Sequence, residues 1–229
     1  MWTDLPATTH RCGNTEGPVA AVPYASSVAG RSWIVHLIGF PGVGKLTVAT
    51  ELARQASTDP DHQMVVVDNH LTGNPVLSLL QLDGRGTAPP EVWPYVEEIR
   101  AIVHRAIPAL TPPGWSFVFT NVIRVADPLG HEGAARLRRL AATRGSTYVP
   151  VVLRCDADEL LRRASSPGRA ENHKWVDTDA IRQLLATETL WVPGGPHLLE
   201  VDTTRLTPAD VAESIRRHLD GVEASTAAS

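Results

Sequence analysis

Cysteine, lysine and aromatic residues are scarce in this chain of 229 residues. The two cysteines, Cys12 and Cys155, lie far apart in unrelated contexts, so neither a disulfide framework nor a cysteine metal site is indicated, and a reducing cytoplasm fits best. A net charge of −4 gives no basic surface for nucleic acid, and we expect no DNA partner. No apolar run approaches the length of a bilayer span, so we expect no membrane partner.

Lysine is the rarest source of positive charge, because Lys45 and Lys174 are the only two lysines and arginine supplies the rest. Together with abundant alanine and proline, this bias indicates a GC-rich genome, which is compatible with a role in antibiotic resistance. One of the two lysines stands in the most informative stretch of the chain.

A phosphate-binding loop is predicted at residues 39–47, between an apolar strand run at 33–38 and a helical run at 43–56. Glycines allow a tight turn whose N–H groups point inward, and the following helix adds the positive end of its dipole. Lys45 would reach the β- and γ-phosphates of ATP. The predicted nucleotide-binding residues are Gly39, Pro41, Gly42, Val43, Gly44, Lys45, Leu46 and Thr47.

The string Gly-x-Pro-Gly-x-Gly-Lys-x-Thr resembles adenylate kinases and their relatives. Leu46 stands where most phosphate loops carry the Ser or Thr that holds Mg²⁺. The resemblance implies that Thr47 offers its hydroxyl on the α-phosphate side and that Mg²⁺ travels with ATP, held mostly through waters. We therefore expect no direct protein ligand to the metal.

Strand and helix patterns alternate along the chain, which predicts an α/β fold with a parallel sheet. The resemblance to nucleoside monophosphate kinases implies a three-layer P-loop NTPase fold, a five-stranded sheet in the order 2-3-1-4-5 and a small helical lid. The expected divisions are a flexible leader at 1–30, a kinase-like domain at 31–221 with its lid at about 156–176, and a disordered tail at 222–229 after a helix that Gly221 stops.

Polar residues follow two of the predicted strands, where ligands bind in open α/β sheets. Asp68 and His70 follow the strand at 64–67, and Asn121 follows the strand at 115–120. These three residues are the predicted acceptor-binding set, with Asp68 orienting or deprotonating a hydroxyl. The alternative for Asp68 is that it caps the next turn or pairs with an arginine.

The segment at 71–90 is rich in turn residues, which suggests a mobile insert on the acceptor side. In the helix predicted after it, Trp93 and Tyr95 could stack on a substrate ring, but packing against the core is the commoner outcome.

Arginines in the expected lid are the candidates to neutralise charge on the transferring phosphoryl group. They are Arg162, Arg163 and Arg169, and the sequence does not choose among them. Resemblance to the kinase group also implies that the loop containing Thr203, after the fifth strand, borders the adenine.

The predicted function is transfer of the ATP γ-phosphoryl group to a hydroxyl of a small molecule, with Mg²⁺ as the second cofactor. A nucleoside, a sugar and an antibiotic such as a nucleoside natural product all remain open as acceptors. The first alternative is a nucleoside monophosphate kinase, and the second is an ATP-binding regulator or ATPase. The oligomeric state is not predicted.

Overall fold

The computed structural model describes residues 32–56, 62–80, 88–165 and 177–227. The expected leader at 1–30 therefore lies outside the described residues, as do most of the expected lid and the last two residues of the tail. The elements in chain order are β1 (Trp33–Ile38), α1 (Lys45–Gln55), β2 (Met64–Asp68), α2 (Asn69–Leu77) with a 3-10 turn (Ser78–Leu80), α3 (Val92–Leu110), β3 (Ser116–Asn121), α4 (Pro128–Arg144), β4 (Thr147–Arg154), α5 (Ala157–Ala164), α6 (Thr178–Thr187), β5 (Leu199–Asp202) and α7 (Pro208–Ala227).

The described strands form one five-stranded sheet in the order β2-β3-β1-β4-β5, and every neighbouring pair is parallel. The predicted fold class and strand order are confirmed. The central strand β1 is buried along its whole length, as expected for a parallel strand that is covered on both faces.

Helices cover both faces of the sheet. On one face, Val35 and Leu37 of β1 pack in a cluster with Leu52 of α1 and Ile215 of α7. On the other face, Ile34 packs with residues of α3, β3 and α4. Because side chains alternate along a strand, neighbouring residues of a strand join opposite layers.

A histidine lies in the centre of the sheet. His36 is fully buried, its Nε2 is 3.0 Å from the Asn121 side-chain oxygen, and its Nδ1 is 2.9 Å from the Tyr148 hydroxyl. An amide oxygen only accepts hydrogen bonds, so Nε2 donates to Asn121 and the Tyr148 hydroxyl donates to Nδ1. Burial lowers the pKa of His36 to about 3, and the imidazole is therefore neutral at ordinary pH.

Two predicted segments differ from the structure. Residues 69–77, most of which were assigned to a mobile insert, form helix α2, which packs on α3, while residues 81–87 lie outside the described part. Helix α7 does not stop at Gly221 but continues to Ala227, so a disordered tail at 222–227 is wrong. Val222 is buried in the α1–α7 cluster, and this packing outweighs the low helix propensity of one glycine.

Residues Trp93 and Tyr95 are 40% and 61% exposed, so the expected packing of these rings in the core is also wrong. Among the described helices, none combines the length and the apolarity that crossing a bilayer requires.

Candidate nucleotide and acceptor site

The glycine loop, residues 39–44, connects the end of β1 to the start of α1. Gly42 and Gly44 have φ angles of 97° and 98°, in the left-handed region that side chains with a Cβ rarely adopt. The loop starts from the sheet, since Gly39 N donates to the carbonyl oxygen of Asn121 on β3 at 3.2 Å. The positive φ angles explain the glycines at 42 and 44.

Close packing restricts the loop further. A Cβ added to Gly39 would lie 2.9 Å from the carbonyl oxygen of Leu153, and one added to Gly42 would lie 2.9 Å from that of Leu160. Both obstacles are backbone atoms, which cannot rotate away. The loop is therefore held between the end of β4 and helix α5, whose Leu160 is buried against it.

The N-terminus of α1 directly follows the loop. Gly44 is the N-cap, and no side chain among the described residues caps this helix. The first hydrogen bond of the helix runs from Val48 N to Gly44 O at 2.9 Å, so the amides that precede Val48 have no acceptor within the helix itself. Amides and a helix dipole in this arrangement can bind an anion. Thr47 is exposed beside them, and Leu46 is half-buried.

Lys45 is folded back over the loop. Its Nζ donates to the carbonyl oxygens of Gly39 at 2.7 Å and Phe40 at 3.1 Å. The same ammonium group helps to lower the pKa of Asp68, which shows that the charge of Lys45 is felt at the end of β2. The loop and Asp68 therefore belong to one electrostatic site.

Asp68, His70 and Thr120 form a hydrogen-bonded group that we call the Asp68 cluster. The Thr120 hydroxyl donates to Asp68 Oδ1 and accepts from Asn69 N at 3.2 Å, and His70 Nδ1 is 2.8 Å from Asp68 Oδ2. Burial acts to raise the pKa of Asp68, but the hydrogen bonds from His70 and Thr120 and the nearby charges outweigh it, and the pKa is lowered. Asp68 is consequently an ionised carboxylate at the carboxyl edge of the sheet.

The two alternatives considered for Asp68 do not match these contacts. Asp68 occupies the N-cap position of α2, but its carboxylate makes no capping hydrogen bond within the described residues. Its hydrogen-bond partners in the described part of the chain are a hydroxyl and an imidazole, and no arginine is among them.

The structure separates Asn121 from the other two predicted acceptor residues. Thr120 is paired with Asp68 across β3 and β2, so both side chains lie on the same face of the sheet. Asn121, one residue later, points to the opposite face and binds His36. Sequence reasoning gave the acceptor role to Asn121 and missed Thr120 as the partner of Asp68. The alternation of side chains along β3 was the signal that distinguishes the two.

The arginines of α5 have different surroundings. Arg162 is 72% exposed and forms two hydrogen bonds to Glu159. Arg163 also binds Glu159, and it donates to Thr203 Oγ1 at 3.2 Å and to Thr203 O at 2.8 Å. Arg169 lies outside the described residues. Arg163 therefore ties helix α5 to the loop that follows β5.

Thr203, predicted beside the adenine, has a buried side chain. Its hydroxyl donates to the carbonyl oxygen of Arg154 at 3.0 Å, and its amide donates to the same oxygen at 2.8 Å. A nucleotide base at this loop would meet its backbone and not the Thr203 hydroxyl. Among the described residues, no group of three or more His, Cys, Asp or Glu side chains is arranged to hold a metal.

Comparison with known proteins gives matches only at the level of structure. No protein-family model matches the chain, and no curated protein gives a significant match. The tunicamycin resistance protein of Deinococcus radiodurans matches with a TM-score of 0.52 at 20% identity, over 82% of this chain and 96% of that chain. A gluconokinase from Sinorhizobium meliloti 1021 matches with a TM-score of 0.56 at 14% identity, over 84% and 95%.

The APS kinase of Mycobacterium tuberculosis, solved with AMPPNP and APS, matches with a TM-score of 0.51 at 18% identity, over 83% of this chain and 98% of that chain. Identities this low establish a shared fold and nothing finer. The chain therefore has the α/β P-loop fold on which these three proteins are built.

Proposed function

We propose that the protein is an ATP-dependent kinase that transfers the γ-phosphoryl group to a hydroxyl of a small molecule. The observation that carries this proposal is the ionised Asp68 carboxylate at the carboxyl edge of β2, within electrostatic reach of Lys45. A phosphate-binding loop and a carboxylate on the same side of a sheet are the parts that phosphoryl transfer to a hydroxyl needs.

The residues of the glycine loop fit the polyphosphate of ATP. The amides at the start of α1 and the Nζ of Lys45 would bind the phosphates, with Lys45 leaving the carbonyl oxygens that it now contacts. Mg²⁺ carried by ATP would neutralise charge on the transferring group, with the exposed Thr47 hydroxyl nearest to it. The kinase solved with AMPPNP supports a nucleotide at this loop.

The acceptor would bind between the Asp68 cluster and the first turn of α3. Helix α3 leads from the carboxyl end of β2 back to the amino end of β3, so its first turn lies at the carboxyl edge of the sheet. Trp93 and Tyr95 are exposed in this turn, and aromatic rings there suit stacking on a sugar or a base. The named relatives support a small-molecule acceptor, and a nucleoside, a sugar or an antibiotic fits this description.

Among the lid arginines, Arg162 is the better candidate to reach the transferring group, because Arg163 is already engaged by the β5–α7 loop. Arg169 remains a candidate from the sequence alone. The binding of the adenine near Thr203 would use the backbone of that loop, which Arg163 holds in place.

A nucleoside monophosphate kinase is the second candidate. Its acceptor is already a phosphate, which is bound by arginines and needs no carboxylate. The contacts of Asp68 favour a hydroxyl acceptor over a phosphate, since a buried carboxylate repels an anion. An ATPase or regulator is less well supported, because β3 ends in Thr120 and Asn121 and has no acidic residue to organise water.

Release of ADP that depends on an acceptor tests the proposal directly. The protein would be incubated with ATP and Mg²⁺ and with gluconate, chloramphenicol, tunicamycin or uridine, and separately with AMP, UMP or no acceptor. A hydroxyl kinase releases ADP rapidly only with one of the first group. Release with a monophosphate alone indicates the second candidate, and equal release without an acceptor indicates an ATPase.

A further inference from the structure

The contacts of Asp68 leave it poorly placed to touch an acceptor. Its two carboxylate oxygens are each engaged, Oδ1 by the Thr120 hydroxyl and Oδ2 by His70 Nδ1. Only 11% of the Asp68 side chain is exposed, whereas 30% of the His70 side chain is exposed. The imidazole is thus the more accessible member of the pair.

The hydrogen bond to Asp68 determines how His70 is oriented. A carboxylate accepts hydrogen bonds, so Nδ1 must carry the proton in the 2.8 Å contact. In the neutral imidazole, Nε2 is then an unprotonated acceptor. No hydrogen bond from the described part of the chain reaches Nε2. This arrangement of carboxylate, imidazole and outward lone pair is the one by which a carboxylate orients a histidine base.

Thr120 makes the arrangement rigid. Its hydroxyl accepts from Asn69 N, the first residue of α2, and donates to Asp68 Oδ1, which is closer to it than the Asn69 side-chain oxygen at 3.5 Å. The carboxylate is fixed from β3 while His70 is fixed by the first turn of α2. From another element, the charge of Lys45 on α1 acts on Asp68.

From these contacts we infer that His70 is the general base for the acceptor hydroxyl and that Asp68 is the residue that positions it. This inference rests on the proposed kinase function. In the step, the acceptor O–H proton passes to His70 Nε2 as the acceptor oxygen bonds to the γ-phosphorus. The bond from that phosphorus to the bridging oxygen of the β-phosphate breaks, and ADP leaves with its electron pair. The proton on Nε2 then passes to solvent through the exposed edge of the imidazole.

Two substitutions at His70 distinguish a role as general base from a role in which His70 only forms a hydrogen bond to Asp68. His70→Asn keeps an N–H group near the position of Nδ1, so the hydrogen bond to Asp68 can form, but it has no group that accepts a proton. His70→Ala removes both. We expect turnover to fall by about a hundredfold or more in each variant, with ATP affinity within about twofold of the parent. The acceptor is the compound that supports ADP release by the parent protein in the screen above.

Free imidazole provides the second measurement. Added imidazole should raise turnover of His70→Ala by about tenfold, and more basic methylimidazoles should raise it further, because the missing proton acceptor is replaced. Lys45→Ala should gain nothing from imidazole, since its defect lies in the phosphate site. His131→Ala, which removes a histidine on α4 that binds Arg124 O, should keep the parental rate.

The outcomes are distinct. If His70→Asn turns over within about threefold of the parent, or if imidazole leaves an ATP-binding His70→Ala protein unchanged, the base is not His70 and the role returns to Asp68. If the parent protein releases no ADP with any of the hydroxyl compounds, the proposed function itself fails, and this inference fails with it.

Discussion

The glycine loop and the Asp68 cluster lie at the same edge of the sheet but are built in different ways. The loop is a continuous segment whose shape follows from its own backbone, with positive φ angles at Gly42 and Gly44. The cluster draws one side chain from the end of β2, one from α2 and one from β3. The proposed phosphate site is therefore specified by consecutive residues, the loop at 39–44 and the start of α1, whereas the proposed proton-transfer site depends on the register of two strands.

If the loop and the start of α1 bind phosphates through charge and backbone shape, the largest loss of activity is expected when the Lys45 cation is removed. Lys45→Ala should reduce phosphoryl transfer by about a thousandfold, because the charge facing the β- and γ-phosphates is lost. The fold should be retained, as measured by circular dichroism and the melting temperature. Arg54→Ala, which removes an exposed cation of the same helix, should leave the rate unchanged. Parental turnover in a folded Lys45→Ala protein would place the nucleotide elsewhere.

A substitution in the Asp68 cluster should lower turnover and leave ATP affinity nearly unchanged. Asp68→Asn should lower turnover on the order of a hundredfold with ATP affinity nearly unchanged, because the carboxylate that orients the proton acceptor is removed. Asp127→Asn is the matched control, since Asp127 caps α4 through Gly130 N at 2.9 Å and is outside the cluster. Near-normal turnover of a stable Asp68→Asn protein would exclude a role in catalysis.

Backbone shape is tested at Gly42, where a side chain would meet both strain and a close contact. Gly42→Ala should cost about 1–3 kcal/mol of loop distortion from its φ angle alone, and the nearby Leu160 carbonyl adds to this. We expect ATP affinity to fall by about tenfold or more, as measured by calorimetry. Gly133→Ala, on α4 with open space around it, should be neutral or slightly stabilising. Equal effects of the two variants would mean that the loop tolerates a side chain.

The smallest expected effect concerns the sheet beneath the loop, where the carbonyl of Asn121 holds Gly39 and its side chain holds His36. Burial lowers the pKa of His36 to about 3, so between this value and the ordinary value near 6.5 the unfolded chain binds a proton that the folded chain does not. The stabilisation that comes from His36 is therefore complete above its ordinary pKa, and the free energy of unfolding falls as the pH decreases below that value. From pH 7 to pH 5 the expected loss is about 2 kcal/mol for this group.

Denaturant titration at pH 7, 6 and 5 measures this slope. Burial also lowers the pKa of His104, to about 4, and this group adds a loss in the same direction. The His36→Gln variant should be less stable overall. Its free energy of unfolding should also change less between pH 7 and pH 5, because the contribution of His36 is removed. An unchanged slope in this variant would show that His36 is not the titrating group.

Several features followed from the sequence because they depend on local patterns. The loop was predicted at its observed place, since glycines, Lys45 and the flanking strand and helix are contiguous. The parallel sheet followed from the alternation of apolar strands and amphipathic helices. Asp68 was located at the carboxyl edge because it directly follows four apolar residues of a predicted strand, although the structure shows that these four residues are half-buried.

Other features could not be read from local patterns, because they depend on packing between distant segments. Residues 69–77 include several residue types that favour turns, but they form a helix. Thr72 and Gly73 are buried in it, and the segment packs on α3. Helix α7 passes Gly221 because Val222 reaches the core beside α1. The exposure of Trp93 and Tyr95 depends on which face of α3 meets the sheet.

The amino-acid sequence by itself determined the position of the glycine loop, the five parallel strands, and the carboxylate at the end of β2. Only the tertiary structure decided that Thr120 and not Asn121 meets that carboxylate, and that His70 is oriented by it. The physical reason is that neighbouring residues of a strand point to opposite faces, so a shift of one position moves a side chain from the site to the core. The register of β2 against β3, which pairs Asp68 with Thr120, is a property of the assembled sheet.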